Sequence, residues 1–72
     1  MYEKAKQIAC FLSYIDPNGE YTADEVMHDP LSHMYLMQGM LEDLGTEPDP
    51  KRAGLNKMID FCLDIFCAAT NH

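Results

Sequence analysis

The chain has 72 residues, of which 47% are hydrophobic, and its twelve acidic and five basic residues give a formal net charge of −7. This apolar content is enough for a core, so we do not expect a disordered chain but a single small domain over 1–72. The excess of acid argues against direct binding to nucleic acid, whose phosphates are bound by clustered Lys and Arg, and favours a partner protein with a basic surface.

The first third of the chain predicts one long and one short helix. Apolar residues recur every three to four positions over 2–15, which is the helical period. A turn containing proline and glycine follows at 16–19. Thr22 and Glu25 have the spacing of a capping box, which predicts a short helix over about 23–28.

An Asp-Pro pair opens each of the last two predicted helices, because Asp caps free backbone N–H groups and Pro suits the first helical position. The first pair predicts a helix over 30–44 that ends at Gly45, where glycine can adopt the left-handed conformation. The second predicts a helix over about 50–69. Both are apolar on more than one side, so each needs more than one neighbour.

Four helices joined by short connections predict an all-α fold, a small helical bundle of three longer helices and one short one. The surplus of apolar residues on the last two helices suggests a partner or a homodimer. We expect the bundle to be held by Leu12, Leu31, Met34, Leu41, Leu44, Ile59, Leu63 and Phe66.

The cysteines indicate a reducing compartment. Cys10, Cys62 and Cys67 are odd in number, lie among apolar residues and form no CxxC pair, so we expect three buried thiols. The N-terminal residues lack the apolar segment of a signal peptide, and no apolar run reaches the length of a membrane span. We therefore expect a cytoplasmic protein that does not associate with membranes.

We predict no catalytic, cofactor-binding or metal-binding residue. Ser13 and Ser32 have no recognisable partner base, and there is no glycine-rich phosphate loop. His28 and His33, with His72 at the end, lack the short repeated spacing of zinc ligands.

Residues 16–26 resemble the second half of an EF-hand calcium loop. They carry a glycine, an apolar residue two positions later, a threonine, and Glu25 before another apolar position. The match departs at the start of the loop: counted from Gly19 the first ligand would be Tyr14, and counted from Asp16 the loop is two residues short. The resemblance implies a degenerate EF-hand-like protein as one alternative.

From residue 29 onward the chain resembles the second half of an acyl carrier protein, in which an Asp-Ser-Leu motif opens a helix and the Ser carries phosphopantetheine. Residues 29–31 stand in that place, and the turn at 43–47 and the apolar run at 58–63 follow at compatible spacing. The chain departs at Pro30, which has no hydroxyl, and Ser32 is two positions late. The resemblance implies a carrier-like scaffold without the arm, a second alternative.

The function we favour is non-catalytic protein binding, by a small acidic inhibitor of the phage or mobile-element type that covers a nucleic-acid-binding surface of its target. Acid clusters would attract the partner, and exposed aromatic and Met side chains would anchor it. The attracting residues are Asp24, Glu25, Glu42, Asp43, Asp60 and Asp64. The anchoring residues are Tyr35, Met37, Met40 and Phe61.

Overall fold

The computed structural model describes residues 1–70 and confirms the all-α fold. Its four helices are α1 (Tyr2–Ile15), α2 (Ala23–His28), α3 (Pro30–Leu44) and α4 (Pro50–Thr70), and residues 1–70 contain no strand. Each observed boundary lies within one residue of the boundary expected from the sequence.

Side-chain oxygens cap the N-termini of three helices, at the residues predicted from the sequence. Thr22 Oγ1 accepts a hydrogen bond from the backbone N–H of Glu25 at 3.2 Å, and the Asp29 carboxylate accepts one from the backbone N–H of Ser32 at 3.2 Å. At the start of α4, Asp49 Oδ1 accepts a hydrogen bond from the backbone N–H of Lys51 at 2.8 Å. These contacts satisfy N–H groups that have no partner within the helix.

Gly45 ends α3 in a conformation that differs in part from the prediction. Its φ of 67° is positive, as expected, but its ψ of −142° lies in an extended region open almost only to glycine, not in the left-handed helical region. The Arg52 guanidinium then donates hydrogen bonds to the carbonyl oxygens of Gly45 at 2.6 Å and Glu47 at 3.3 Å. These bonds tie the connector between α3 and α4 to the first turn of α4.

Helix α4 is the central element, because both α1 and α3 pack along it. The Phe11 ring lies over Gly54, and Lys4 Nζ lies 2.7 Å from the Asp64 carboxylate, so α1 runs antiparallel to α4. The short connector at 45–49 makes α3 antiparallel to α4 as well. Helix α2 packs mainly on α1, and the whole molecule measures 40 × 23 × 17 Å.

The core draws on all four helices. Its buried residues are Ala5, Ile8, Ala9, Leu12, Val26, Met34, Met37, Leu55, Met58, Cys62 and Ile65. Leu12 and Met34 therefore lie where the sequence predicts. Four other predicted core residues are only partly buried and pack around this centre: Leu31, Leu41, Leu44 and Ile59.

The buried face of α4 is rotated away from the predicted one. Ile65 is 2% exposed although it is not among the predicted core residues, whereas the predicted core residue Leu63 is 42% exposed and Phe66 is half-buried. The reason is that α1 covers the side of α4 that carries Gly54 and Phe61, which draws the buried face towards Ile65. The prediction for Leu63 is wrong.

The prediction of three buried thiols is also wrong for two of them. Cys10 and Cys67 are exposed, and only Cys62 is buried. Burial raises the pKa of the Cys62 thiol to about 11, because the thiolate is poorly solvated in the core.

Within residues 1–70, none of the helices combines the length and the apolar character that crossing a lipid bilayer requires.

Candidate functional site

Acidic and basic residues are separated along the chain and therefore between the helices. Residues 7–50 contain no Lys or Arg, and all five bases lie on α1 and α4. The same segment holds nine of the twelve acids: Asp16, Glu20, Asp24, Glu25, Asp29, Glu42, Asp43, Glu47 and Asp49. The exposed surfaces of α2 and α3 therefore carry carboxylates, and neither helix contains a Lys or Arg residue.

The acids around α2 have local structural roles. Asp24 and Glu25 are exposed in the first turn of α2, where the positive end of the helix dipole favours negative charge. Asp29 joins α2 to α3, and hydrogen bonds from the hydroxyl and the backbone N–H of Ser32 hold its pKa below its usual range. The helix dipole of α2 and the capping of α3 explain this part of the acidic surface.

Glu42 and Asp43 have no such local role. Both are exposed in the last turn of α3, where the negative end of the helix dipole disfavours an acid by about 0.3–1 kcal/mol each. Arg52 lies beside this end of α3, but it donates to backbone carbonyls, and the ion pairs found within residues 1–70 include neither carboxylate. Two carboxylates and a helix C-terminus thus combine their negative potential at one place.

The acids on α4 lie in a surface of mixed charge. Asp60 and Asp64 are both exposed, and Asp64 is paired with Lys4 at 2.7 Å. The half-buried Phe61 ring lies under the ammonium groups of Lys4 and Lys57, at 5.2 and 5.7 Å from the ring centre. The structure therefore brings these three predicted site residues together, but with two lysines among them.

The predicted apolar anchors on α3 separate into exposed and buried positions. Tyr35 is 62% exposed, Met40 is half-buried, and Met37 is fully buried, so the expectation that Met37 anchors a partner from the surface is wrong. Met37 follows Met34 by three residues and shares its buried face. Leu36, which is 40% exposed, was missed by sequence reasoning, although its place opposite Met34 and Met37 on a helical projection could have revealed it.

The segment that resembles a calcium loop is a hydrogen-bonded turn. The Tyr21 hydroxyl donates to the Asp16 carboxylate at 2.8 Å, and the Tyr21 side chain lies against Gly19. This hydrogen bond, partial burial and the negative charge of Asp16 together raise the pKa of Tyr21. Thr22, further along the segment, caps α2.

The histidines predicted not to form a metal site lie around the start of α3. His28 is exposed, and His33 Nδ1 lies 2.8 Å from the backbone oxygen of Asp29. His72 is outside the described residues. In the part of the chain that the structure describes, no three His, Cys, Asp or Glu side chains come close enough together to hold a metal ion.

The Ser32 hydroxyl, which lies nearest to the carrier-protein serine position, donates to the Asp29 carboxylate at 2.7 Å. It therefore takes part in capping α3.

A shallow groove of about 350 Å³ lies between α1 and the start of α2. Its lining residues are Lys6, Ala9, Cys10, Ser13, Tyr21, Thr22 and Ala23. The hydroxyls of Tyr21 and Thr22 are already hydrogen-bonded within the fold, to Asp16 and Glu25.

Comparison with known proteins gave no family model, no curated protein and no solved structure that matches the chain. The resemblances to EF-hand loops and to acyl carrier proteins accordingly rest on the residues named above alone.

Proposed function

We propose that the chain is a non-catalytic protein-binding module whose acidic surface on α2 and α3 binds a basic surface of another protein. The observation that carries this proposal is the position of Glu42 and Asp43 in the last turn of α3, within a segment that contains no Lys or Arg. In the free chain these carboxylates oppose the helix dipole. Lys or Arg side chains of a partner would pair with these carboxylates, which the Arg52 guanidinium, bonded to backbone carbonyls at this end of α3, does not do.

Nucleic-acid-binding proteins present the basic surface that fits this one. Their clustered Lys and Arg bind phosphates placed along a backbone, and exposed carboxylates can occupy the same side chains. By covering such a surface the chain would compete with nucleic acid and act as an inhibitor. The free thiols of Cys10, Cys62 and Cys67 suit a reducing compartment, and the proposal places the interaction in the cytoplasm.

The test is a pull-down with the tagged full chain from its source cell, washed at about 0.05 M and then about 0.5 M salt, where surface charge pairs are screened. Two double variants are compared with the wild type. Glu42→Gln/Asp43→Asn removes two acids from α3, and Asp60→Asn/Asp64→Asn removes two from α4, so both variants have the same net charge. The structure pairs Asp64 with Lys4, which makes the second variant the matched control.

We expect a partner with a basic surface that is retained at low salt and released at high salt. Its affinity should fall about three- to thirtyfold in the α3 variant, since each exposed charge pair contributes up to about 1 kcal/mol, and less in the α4 variant. Heparin, a polyanion, should displace the partner. Equal retention of all three chains, or retention that salt does not change, would contradict the proposal.

A further inference from the structure

The face of α3 that points away from the core is centred on a glycine. Gly39 is exposed, and Tyr35, Leu36, Glu42 and Asp43 lie three or four positions before and after it, so all five share one face of the helix. We call these five residues the Gly39 surface. Its first half presents an aromatic ring and an aliphatic side chain, and its second half presents two carboxylates.

The fold itself does not require glycine at position 39. A Cβ atom added there would meet no atom within 4 Å beyond the adjacent residues and backbone of its own helix, whereas one added to Gly54 would lie 2.5 Å from the Phe11 ring. Glycine inside a helix costs about 1 kcal/mol relative to alanine. Gly54 has a packing reason for this cost, and Gly39 has none within the described residues.

Three features of the Gly39 surface are thus unfavourable in the free chain. They are a glycine in the middle of a helix, two exposed large apolar side chains, and two acids at the negative end of the helix dipole. Local choices that conflict with stability are expected where a surface serves binding. That all three fall on one face of one helix points to an occupant of that face.

We propose that the Gly39 surface is the docking site for a basic amphipathic helix of the partner protein, which crosses α3 at Gly39. This inference rests on the proposed function. The absent side chain would let the two helix backbones approach closely. Apolar residues of the partner helix would pack on Tyr35 and Leu36, and its Lys or Arg side chains would reach Glu42 and Asp43.

Charge decides between this occupant and a second copy of the chain. A second copy would place one α3 surface against another, and neither has a Lys or Arg to pair with the carboxylates of Glu42 and Asp43. Like charges brought together at an interface disfavour the complex. A helix that carries Lys or Arg on its polar face complements the same surface along its full length.

The test uses two synthetic amphipathic peptides of roughly 20 residues, long enough to form a helix when bound. One carries Leu on one face and Lys on the other, and the second has Glu in place of every Lys. Binding to the full chain is measured by calorimetry. The variant Gly39→Leu fills the proposed crossing point, and Asn56→Leu adds the same side chain to an exposed position on α4 as the matched control.

We expect the Lys peptide to bind and the Glu peptide not to bind. Gly39→Leu should weaken binding by about tenfold or more, while Asn56→Leu leaves it unchanged. Thermal melts should show Gly39→Leu at least as stable as the wild type, because leucine favours helix more than glycine does. Loss of binding in a variant that is not destabilised separates a blocked site from a damaged fold.

Three outcomes would overturn the inference. They are no binding of the Lys peptide up to about 1 mM, equal binding by the two leucine variants, and a wild-type dimer in sedimentation that Gly39→Leu dissociates. If Glu42→Gln/Asp43→Asn weakens binding of the peptide while Gly39→Leu does not, the acidic surface stands as proposed and only the crossing at Gly39 is refuted. If neither variant weakens it, the proposed function fails too.

Discussion

The hydrogen bond from Tyr21 to Asp16 joins the turn after α1 to the start of α2, and it makes stability depend on pH. The pKa of Tyr21 is raised above its usual value, chiefly because the Asp16 carboxylate accepts its proton in a hydrogen bond. A group whose pKa is higher in the folded chain adds stability below its unfolded pKa, here about 10, and loses it as pH rises through the folded pKa.

We therefore expect Tyr21→Phe to be less stable than the wild type at neutral pH, by about 1 kcal/mol or less, the net contribution of one hydrogen bond. The difference should shrink as pH rises above about 10. Urea unfolding from pH 7 to pH 11 measures it, and Tyr14→Phe is the control because Tyr14 is 75% exposed. A difference that grows with pH would mean that folding lowers the pKa of Tyr21 and would contradict the hydrogen bond to Asp16.

Single residues were the hardest part of the site to predict from the sequence. Met37 and Met40 are the same residue type in the same apolar helix, yet Met37 is fully buried while Met40 is half-buried. Cys10 and Cys62 differ in the same way. The exposure of a side chain depends on which side of its helix the neighbouring helices cover. The residue type alone does not indicate which side that is.

The two glycines within helices provide a prediction at the scale of the element. Gly39→Ala should stabilise the chain by about 1 kcal/mol, which corresponds to about 4–8 °C in melting temperature for a domain of this size. Gly54→Ala gains the same helical propensity, but its Cβ would lie 2.5 Å from the Phe11 ring, which must move. Gly54→Ala should therefore melt below Gly39→Ala.

Thermal melts followed by circular dichroism make this comparison. The double substitution Gly54→Ala/Phe11→Leu is the control, since it removes the ring that the new methyl group meets. Equal melting temperatures for the two alanine variants would show that the Phe11 ring moves aside without cost.

Helix boundaries could be predicted closely because each depends on a few adjacent residues. Thr22, Asp29 and Gly45 mark ends through hydrogen bonds or backbone angles that act within one turn. The rotation of a helix depends on all its neighbours, and the apolar residues of α3 and α4 extend around more than one face. Leu63 was consequently placed in the core, and the exposed position of Leu36 was missed.

The net charge of −7 acts on the whole molecule. With dimensions of 40 × 23 × 17 Å, most carboxylates lie within a few Debye lengths of one another at low salt, where that length is about 30 Å at 0.01 M. Repulsion between them opposes folding. Melting temperature should therefore rise by a few degrees between about 0.01 M and 0.2 M salt.

The control is Glu20→Gln/Glu47→Gln, which removes two exposed carboxylates outside the Gly39 surface. This variant should melt above the wild type at low salt and respond less to added salt. If salt changed the melting temperature of neither the wild type nor the variant, repulsion between the carboxylates would not reduce the stability of the fold.

The contact of Phe11 with Gly54 has a consequence for the order in which the chain can fold. It belongs to the packing of α1 on α4 and joins residues 43 positions apart, whereas the contacts of α1 with α2, α2 with α3 and α3 with α4 connect helices that are neighbours along the chain. Closing a longer loop costs more conformational entropy. The α3–α4 hairpin can thus form with less loss of freedom than the closure of α1 onto α4. Gly54 determines how closely α1 and α4 can approach each other beside Phe11 when that closure is made.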